Sequence, residues 1–356
     1  MKVLCICPIG IGNYLLCYPA WADLKKRLPE AEIHLLALRK PIVGLAAEDP
    51  LWNAVHCIEP AGKPSPREQV CFILSMRKYR FDVSISFFPS NTWQYHLLPF
   101  LAGCRKRFGF RYPLKGMASL SWLSTHRISV NPDLHDVEQN RAIAAMATGS
   151  PASLQTEAVF PRLAKKTDRR KAETILDGNG PFFAIHPGSS IEHGMDAKRW
   201  APERFGAIAD LICKATGATA LVLGGPDENF LKHKTAEAMT MPVRIVEPLP
   251  LPLTAALLKK CTFCLCNDSG IMHLAACNGV PVAAFFGPTD EKRNGPYGSH
   301  HCILRKPMDG FPLWTARNVG VRHLPRGTDP NRSLKALSVE DAWSQLAPFL
   351  ARLRQD

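Results

Sequence analysis

The chain has 356 residues, enough for two domains of ordinary size that each bury a core. No apolar run is long enough to span a bilayer, and Met1-Lys2-Val3-Leu4-Cys5-Ile6-Cys7 runs straight into a glycine turn, so it reads as a strand and not a signal peptide; a cytoplasmic protein is expected. Twelve cysteines scattered through apolar stretches favour reduced thiols over a disulfide framework, and a net charge of +13 points to an anionic partner.

Along the first half, apolar β-rich runs alternate with amphipathic stretches. Strands are predicted at 3–7, 33–37, 54–58 and 83–87, each followed by a helix: one reaching Leu28, then 41–47, 66–77 and 92–101. Such alternation predicts a parallel, doubly wound sheet. The first turn, Gly10-Ile11-Gly12-Asn13-Tyr14-Leu15, fails as a dinucleotide fingerprint because Leu15 replaces the third glycine. A further strand is expected at 107–110 and a helix at 134–147, where Asp136 and Glu138 suit the positive helix start. Between 101 and 132 stand six cations, Arg105, Lys106, Arg107, Arg111, Lys115 and Arg127, and no acid. This run reads as a solvated basic loop, a site for a phosphorylated glycolipid, or a contact with an anionic membrane. Nucleic acid ranks below these, because the run belongs to no nucleic-acid motif.

Near Thr148-Gly149-Ser150-Pro151 the pattern fades and 165–171 is charged, which places a linker at 150–175 between domains at 1–165 and 175–336. A second cycle follows, with strands at 182–186, 220–223 and 243–246 and helices at 202–216, 230–238 and 253–260. A strand at 261–266, a helix at 271–278 and a strand at 282–286 complete it, before a closing helix at 337–353. Cys261-Thr262-Phe263-Cys264 has the spacing of a metal or redox pair, but it lies in an apolar strand with no second pair, so no metal site is expected.

The polar residues of this half gather at βα turns. Asn267-Asp268-Ser269-Gly270 and Gly287-Pro288-Thr289-Asp290 lie at one end of the sheet, where a helix start offers unpaired N–H groups and partial positive charge. Asp268 reads either as a helix cap or, with Ser269, Gly270 and His273 one turn along, as part of a diphosphate site. Lys198 follows Pro187-Gly188-Ser189-Ser190 and precedes a helix start, so it can reach an anion held there; Arg199 is expected to pack on Trp200 or pair with an acid. Glu228, after Gly224-Gly225-Pro226, can accept two hydrogen bonds from a diol, with Asp227 as a substitute or a helix cap.

Three pieces of sequence carry a resemblance. They are NDSGxxHLAAxxGVPVxAxFGPTD at 267–290 with GPYG at 295–298; His186-Pro187-Gly188-Ser189-Ser190 with Lys198-Arg199-Trp200-Ala201-Pro202-Glu203-Arg204-Phe205; and Gly10-Ile11-Gly12-Asn13 with Leu16 and Pro19. Together they resemble family 9 glycosyltransferases, the heptosyltransferase family, over nearly the whole chain and most strongly after Phe182. The resemblance implies an α/β fold of GT-B architecture: two Rossmann-like domains facing across a cleft, the first for the acceptor and the second for the donor, with 337–356 crossing back onto the first. It implies an inverting, metal-independent transfer without a cofactor, from a nucleotide sugar such as ADP-heptose to an anionic glycolipid such as lipopolysaccharide inner core, at the inner membrane face.

By the same resemblance Ser189, Ser190, Lys198, Asp268, Ser269, Gly270 and His273 meet the donor phosphates and Glu228 the ribose. Gly12, Arg105, Arg107 and Arg111 are assigned to the acceptor. The family usually carries Gly-Asp in the amino-terminal turn, the aspartate acting as general base. Here Asn13 stands in the base position and cannot take a proton, although it would cap a helix well. His96, His135 and Asp136 are base candidates by residue type alone. Two other readings stay open: a non-catalytic nucleotide-sugar-binding protein and a GT-B nucleotide-sugar epimerase.

Overall fold

The computed structural model describes residues 1–59, 64–112, 116–150, 157–178, 180–298, 300–315, 324 and 326–355. The chain forms two units, Met1–Pro161 and Arg162–Thr315, the second continued by the C-terminal segment. The first unit contains β1 (Lys2–Cys7), β2 (Glu32–Arg39), β3 (Ala54–Glu59), β4 (Val83–Ser86), β5 (Lys106–Arg111) and β6 (His126–Ser129). The second contains β7 (Phe182–His186), β8 (Thr219–Val222), β9 (Val243–Ile245), β10 (Cys264–Asn267), β11 (Val282–Phe285) and β12 (His301–Leu304).

Each unit builds one six-stranded sheet, in the orders β3-β2-β1-β4-β5-β6 and β12-β11-β10-β7-β8-β9, and all pairings are parallel. Counted within its own unit, the second order is the mirror listing of the first. Both are doubly wound. The central strands β4, β7 and β10 are buried along their whole length and β1 along all but Lys2, as expected where helices cover both faces of a parallel sheet. In the second unit Trp200 stacks on Phe285 at 4.1 Å between ring centroids, with Phe205 edge-on to both. The C-terminal helix Val339–Arg352 adds Leu346, Phe349 and Leu350 to that same core.

In both sheets the order reverses between two central strands, β1/β4 and β7/β10. Chain leaving neighbouring strand ends toward opposite faces opens a crevice there, the usual ligand position of doubly wound sheets.

Several elements depart from the sequence expectation, among them β12, an edge strand beyond the last one expected. β6 is an additional strand, polar and only half covered at the sheet edge. Part of the expected linker, Lys166–Leu176, is a helix: the Asp168 carboxylate accepts from the Lys165 N–H at 2.9 Å, and Ala172 and Leu176 are buried one turn apart. All twelve cysteines are free, and Cys261 and Cys264 are buried. Among the described residues no group of three or more His, Cys, Asp or Glu could hold a metal ion, and no helix is long and apolar enough to cross a membrane.

Candidate functional site

The second switch point is built by one amide. Asn267, at the end of β10, is fully buried; its Nδ2 donates to the Pro187 carbonyl at 2.8 Å and its Oδ1 accepts from the Trp200 N–H at 3.0 Å. The loop after β7 is thus pinned at both ends to the end of the neighbouring strand. Within it, the 3-10 turn Glu192–Lys198 carries Lys198 back toward β10. The Ser189 hydroxyl donates to the Met195 carbonyl at 3.1 Å and accepts from Arg199 Nε at 3.2 Å, while Arg199 Nη2 donates to the Ser189 carbonyl. Arg199 therefore closes the loop at Ser189, a partner that residue type alone does not suggest. Ser190 turns away, its hydroxyl accepting from the Glu192 N–H at 3.2 Å.

Lys198 ends in an ion pair. Its Nζ lies 2.9 Å from Asp268 Oδ2, and Asp268 Oδ1 accepts from Asn294 Nδ2 at 3.0 Å. Burial pushes the Asp268 carboxyl up, but the Lys198 ammonium, then His273, outweigh it and hold the carboxyl below its ordinary range. Asp268 is not the helix cap. That role falls to Ser269, whose hydroxyl accepts from the Met272 N–H at 3.4 Å at the start of the helix Gly270–Cys277. His273 lies buried on this helix, one turn in.

His186, the last residue of β7, joins the parts. Its Nδ1 lies 3.1 Å from the Ser269 hydroxyl and its Nε2 lies 3.1 Å from Glu228 Oε2. A carboxylate accepts, so Nε2 carries the proton and Nδ1 accepts from the serine, whose oxygen stays available to Met272. Glu228 Oε2 also accepts from the Gly225 N–H at 2.7 Å. Burial raises the Glu228 carboxyl, but the His186 hydrogen bond, the Gly225 N–H and the Arg199 guanidinium together bring it below the ordinary value. Gly188 is required for this packing: a Cβ there would stand 1.8 Å from Glu228 Oε1.

Ser189, Lys198, Glu228, Asp268, Ser269, Gly270 and His273 thus come together around the ends of β7, β8 and β10. An ammonium beside a helix start attracts an anion, and a carboxylate aligned by imidazole and amide accepts hydrogen bonds from hydroxyls. The residues that sequence reasoning did not assign are His186, Arg199, Asn267 and Asn294. Three of them stand inside motifs already singled out, and Asn294 directly precedes Gly295-Pro296-Tyr297-Gly298.

The first unit's switch point is of another kind. The helix Ile11–Arg27 starts after Gly10, whose φ of 108° only glycine adopts readily, so Gly12 and Asn13 lie in its first turn and Asn13 is not the cap. Asn13 Nδ2 donates to the Ile9 carbonyl. Arg107 is spent on structure: its Nε and Nη1 each donate at 2.7 Å, to the Leu123 and Cys104 carbonyls. Arg111 donates to the Ser129 hydroxyl at 2.9 Å, and Arg105 is exposed. Arg107 and Arg111 lie four residues apart on one strand, about 13 Å, so the three arginines form no single cluster. Of the base candidates, His96 is fully buried with Nδ1 2.8 Å from Ser124 Oγ, and burial and then Arg127 hold it down to about 4. His135 caps the helix Asp136–Ala147 by accepting from the Val137 N–H at 3.2 Å, and Asp136 is buried.

Comparison with known proteins identifies the fold and the family. The chain is 25% identical to lipooligosaccharide heptosyltransferase 2 of Haemophilus influenzae, over 99% of this chain and 100% of that protein. Its fold superposes on Escherichia coli ADP-heptose LPS heptosyltransferase II with a TM-score of 0.72 at 19% identity, covering 99% of both chains. The family 9 glycosyl transferase of Veillonella parvula gives 0.76 at 17% identity, covering 99% of this chain and 97% of the other. The fold is therefore GT-B. Residues 71–310 match glycosyltransferase family 9 (heptosyltransferase), and this chain is a glycosyltransferase that belongs to that family.

Proposed function

We propose that this chain transfers heptose, with inversion, from ADP-heptose to an anionic glycolipid of the lipopolysaccharide inner-core type at the cytoplasmic face of a membrane. The second unit holds the donor and the first presents the acceptor. The carrying observation is the linked network Lys198–Asp268 and Ser269–His186–Glu228 around one helix start. Family membership and the names of the relatives, which are heptosyltransferases, support the sugar and the acceptor class.

In this reading the diphosphate sits at the Ser269–Gly270 helix start and shares the Lys198 ammonium with Asp268, while Glu228 accepts from the ribose hydroxyls. As the glycosidic bond to the diphosphate breaks, the growing negative charge is met by donors already in position, with no metal ion required. Asn13 cannot remove the acceptor proton, and its amide is turned to the Ile9 carbonyl. Its part is to orient the acceptor hydroxyl, and that single substitution also favours a second reading, a nucleotide-sugar-binding protein without turnover.

The test is ADP release from ADP-heptose with and without a de-heptosylated core acceptor. Release only with acceptor is expected. Tight ADP binding without release under either condition overturns transfer and leaves the binding protein, and activity abolished by EDTA and restored by magnesium overturns the metal-free step.

A further inference from the structure

The helix Gln94–Leu101, which follows β4, buries Tyr95, His96 and Pro99 against the first sheet. Its opposite stripe is apolar as well. Trp93, which already has helical dihedral angles, Leu97 and Phe100 stand at positions i, i+4 and i+7, and Trp93 and Phe100 are 47% and 45% exposed. The 3-10 turn Ser121–Leu123, which packs on this helix, carries the bare Trp122 at 53% exposure, and the turn just before it in the chain carries Met117 at 76%. The two segments are tied together: His96 Nδ1 lies 2.8 Å from Ser124 Oγ, and the Arg107 guanidinium sits over the Phe100 ring at 5.5 Å while donating to the Leu123 carbonyl. Exposed Arg127, paired with Gly109 on the side of the sheet that carries Arg107, stands at this face, and exposed Arg105 and Lys106 lie nearby in the stretch 101–132, which contains no acid.

Aromatic rings and methionine left bare beside cations, with no carboxylate among them, match the chemistry of a bilayer interface, where indoles enter the headgroup layer and Lys and Arg meet lipid phosphates. We propose that this face docks on an anionic bilayer, with Trp93, Phe100, Met117 and Trp122 entering it. The position is apt. The Ser86 hydroxyl donates to the Tyr95 carbonyl at 2.7 Å, and the Tyr95 hydroxyl hydrogen-bonds the backbone of Ile9, whose carbonyl accepts from Asn13. The docking helix is thus tied through Tyr95 to the turn that carries Gly12 and Asn13; that the lipid carries the acceptor rests on the proposed function.

The experiment is flotation of the full chain with vesicles, in the absence of donor and acceptor. Binding to phosphatidylglycerol/phosphatidylethanolamine vesicles is expected, at least about tenfold weaker on pure phosphatidylcholine and weakened by salt. The double variant Trp93→Ala/Trp122→Ala is expected to lose about tenfold in vesicle binding while releasing ADP at the wild-type rate with a deacylated, soluble acceptor. Absence of binding to anionic vesicles, or equal binding by the double variant, overturns the proposal. So does self-association in sedimentation velocity that the double variant abolishes without changing vesicle binding, which would give the face to a second copy. Vesicle binding without ADP release would keep the docking face and remove the transferase reading; ADP release without vesicle binding would do the reverse.

Discussion

The two switch points share a topology and differ in chemistry. At β7/β10 the polar side chains face one another, Lys198 with Asp268 as an ion pair and His186 with Glu228 through a hydrogen bond. At β1/β4 amides and a hydroxyl are spent on backbone: Asn13 donates to the Ile9 carbonyl, Asn140 accepts from the Phe88 N–H at 2.7 Å, and the Tyr112 hydroxyl accepts from the Ser90 N–H at 2.8 Å. A charged pair can share its partner with an incoming ion, whereas a side chain locked to its own loop supplies shape and little else. Strand order thus fixes where a ligand can sit, and the turn residues decide whether that place attracts charge.

The sharpest way to break the contrast is to put a charge in place of the Asn13 amide. Asn13→Asp loses the bond to Ile9 and is repelled by that carbonyl, which turns the carboxylate outward toward an acceptor. ADP affinity by calorimetry is expected to stay within about twofold, while turnover rises by about 10²-fold and gains an acid limb of carboxylate type. An equal or lower rate, beside an active wild type, would show that another group is the base.

Next in size is the removal of a charge from the second unit. Lys198→Ala is expected to weaken binding of ADP and ADP-sugar alike by about 10- to 100-fold, the measure of a lost charge-assisted contact. It also leaves Asp268 buried without its ammonium, so denaturant unfolding is expected to show a loss of about 3 kcal/mol. Lys198→Met/Asp268→Asn separates the two effects. Stability is expected to return while ADP affinity stays low; if affinity returns with stability, Lys198 acts only through the fold.

A smaller effect concerns pH. Asp268 and Glu228 both have folded-state values below their ordinary ones, so the folded chain holds fewer protons than the unfolded chain in the acid range. Their contribution is complete above the ordinary carboxylate values, above about pH 5, and fades as pH falls through those values to the lowered ones. Asp268→Asn and Glu228→Gln are each expected to flatten that part of a stability curve measured in urea. A curve as steep in both carboxylate variants as in the wild type would deny these two groups their part.

The smallest expected effect is His186→Asn, which keeps one donor toward Glu228. It should cost about three- to tenfold in ADP-sugar affinity, less than His186→Ala, and leave inorganic pyrophosphate binding nearly unchanged. Equal losses from both variants would mean that His186 only fills space.

Much of this site could be read from the sequence because its residues are grouped: turns that break apolar strands place Ser189, Asp268, Ser269 and Glu228 at strand ends by period and punctuation alone. What escaped are partnerships across distance. Glu228 is 42 residues from His186, and no local pattern joins them. Residue type and adjacency suggest an acid or Trp200 as the partner of Arg199, and only the fold of the loop from Ile191 to Lys198 brings Ser189 back against it. β6 escaped because His126-Arg127-Ile128-Ser129 is polar at a sheet edge, and the helix Lys166–Leu176 because its charges outnumber Ala172 and Leu176. Asn13 as a cap was a reasonable expectation from residue type, but Gly10 with its positive φ starts the helix three residues earlier.

The pairing of the central strands also bears on how the chain reaches this state. Val3 pairs with Val83 and Ala184 with Cys264, each across eighty residues, so neither switch point exists until most of its unit has been synthesised and looped back. Contacts of such long range are slow to form and leave apolar strands such as β4 and β10 waiting without their neighbours. In refolding followed by ADP binding, nucleotide affinity should therefore appear only with the slowest phase of the second unit, and a chain ended before Asn267 should have none.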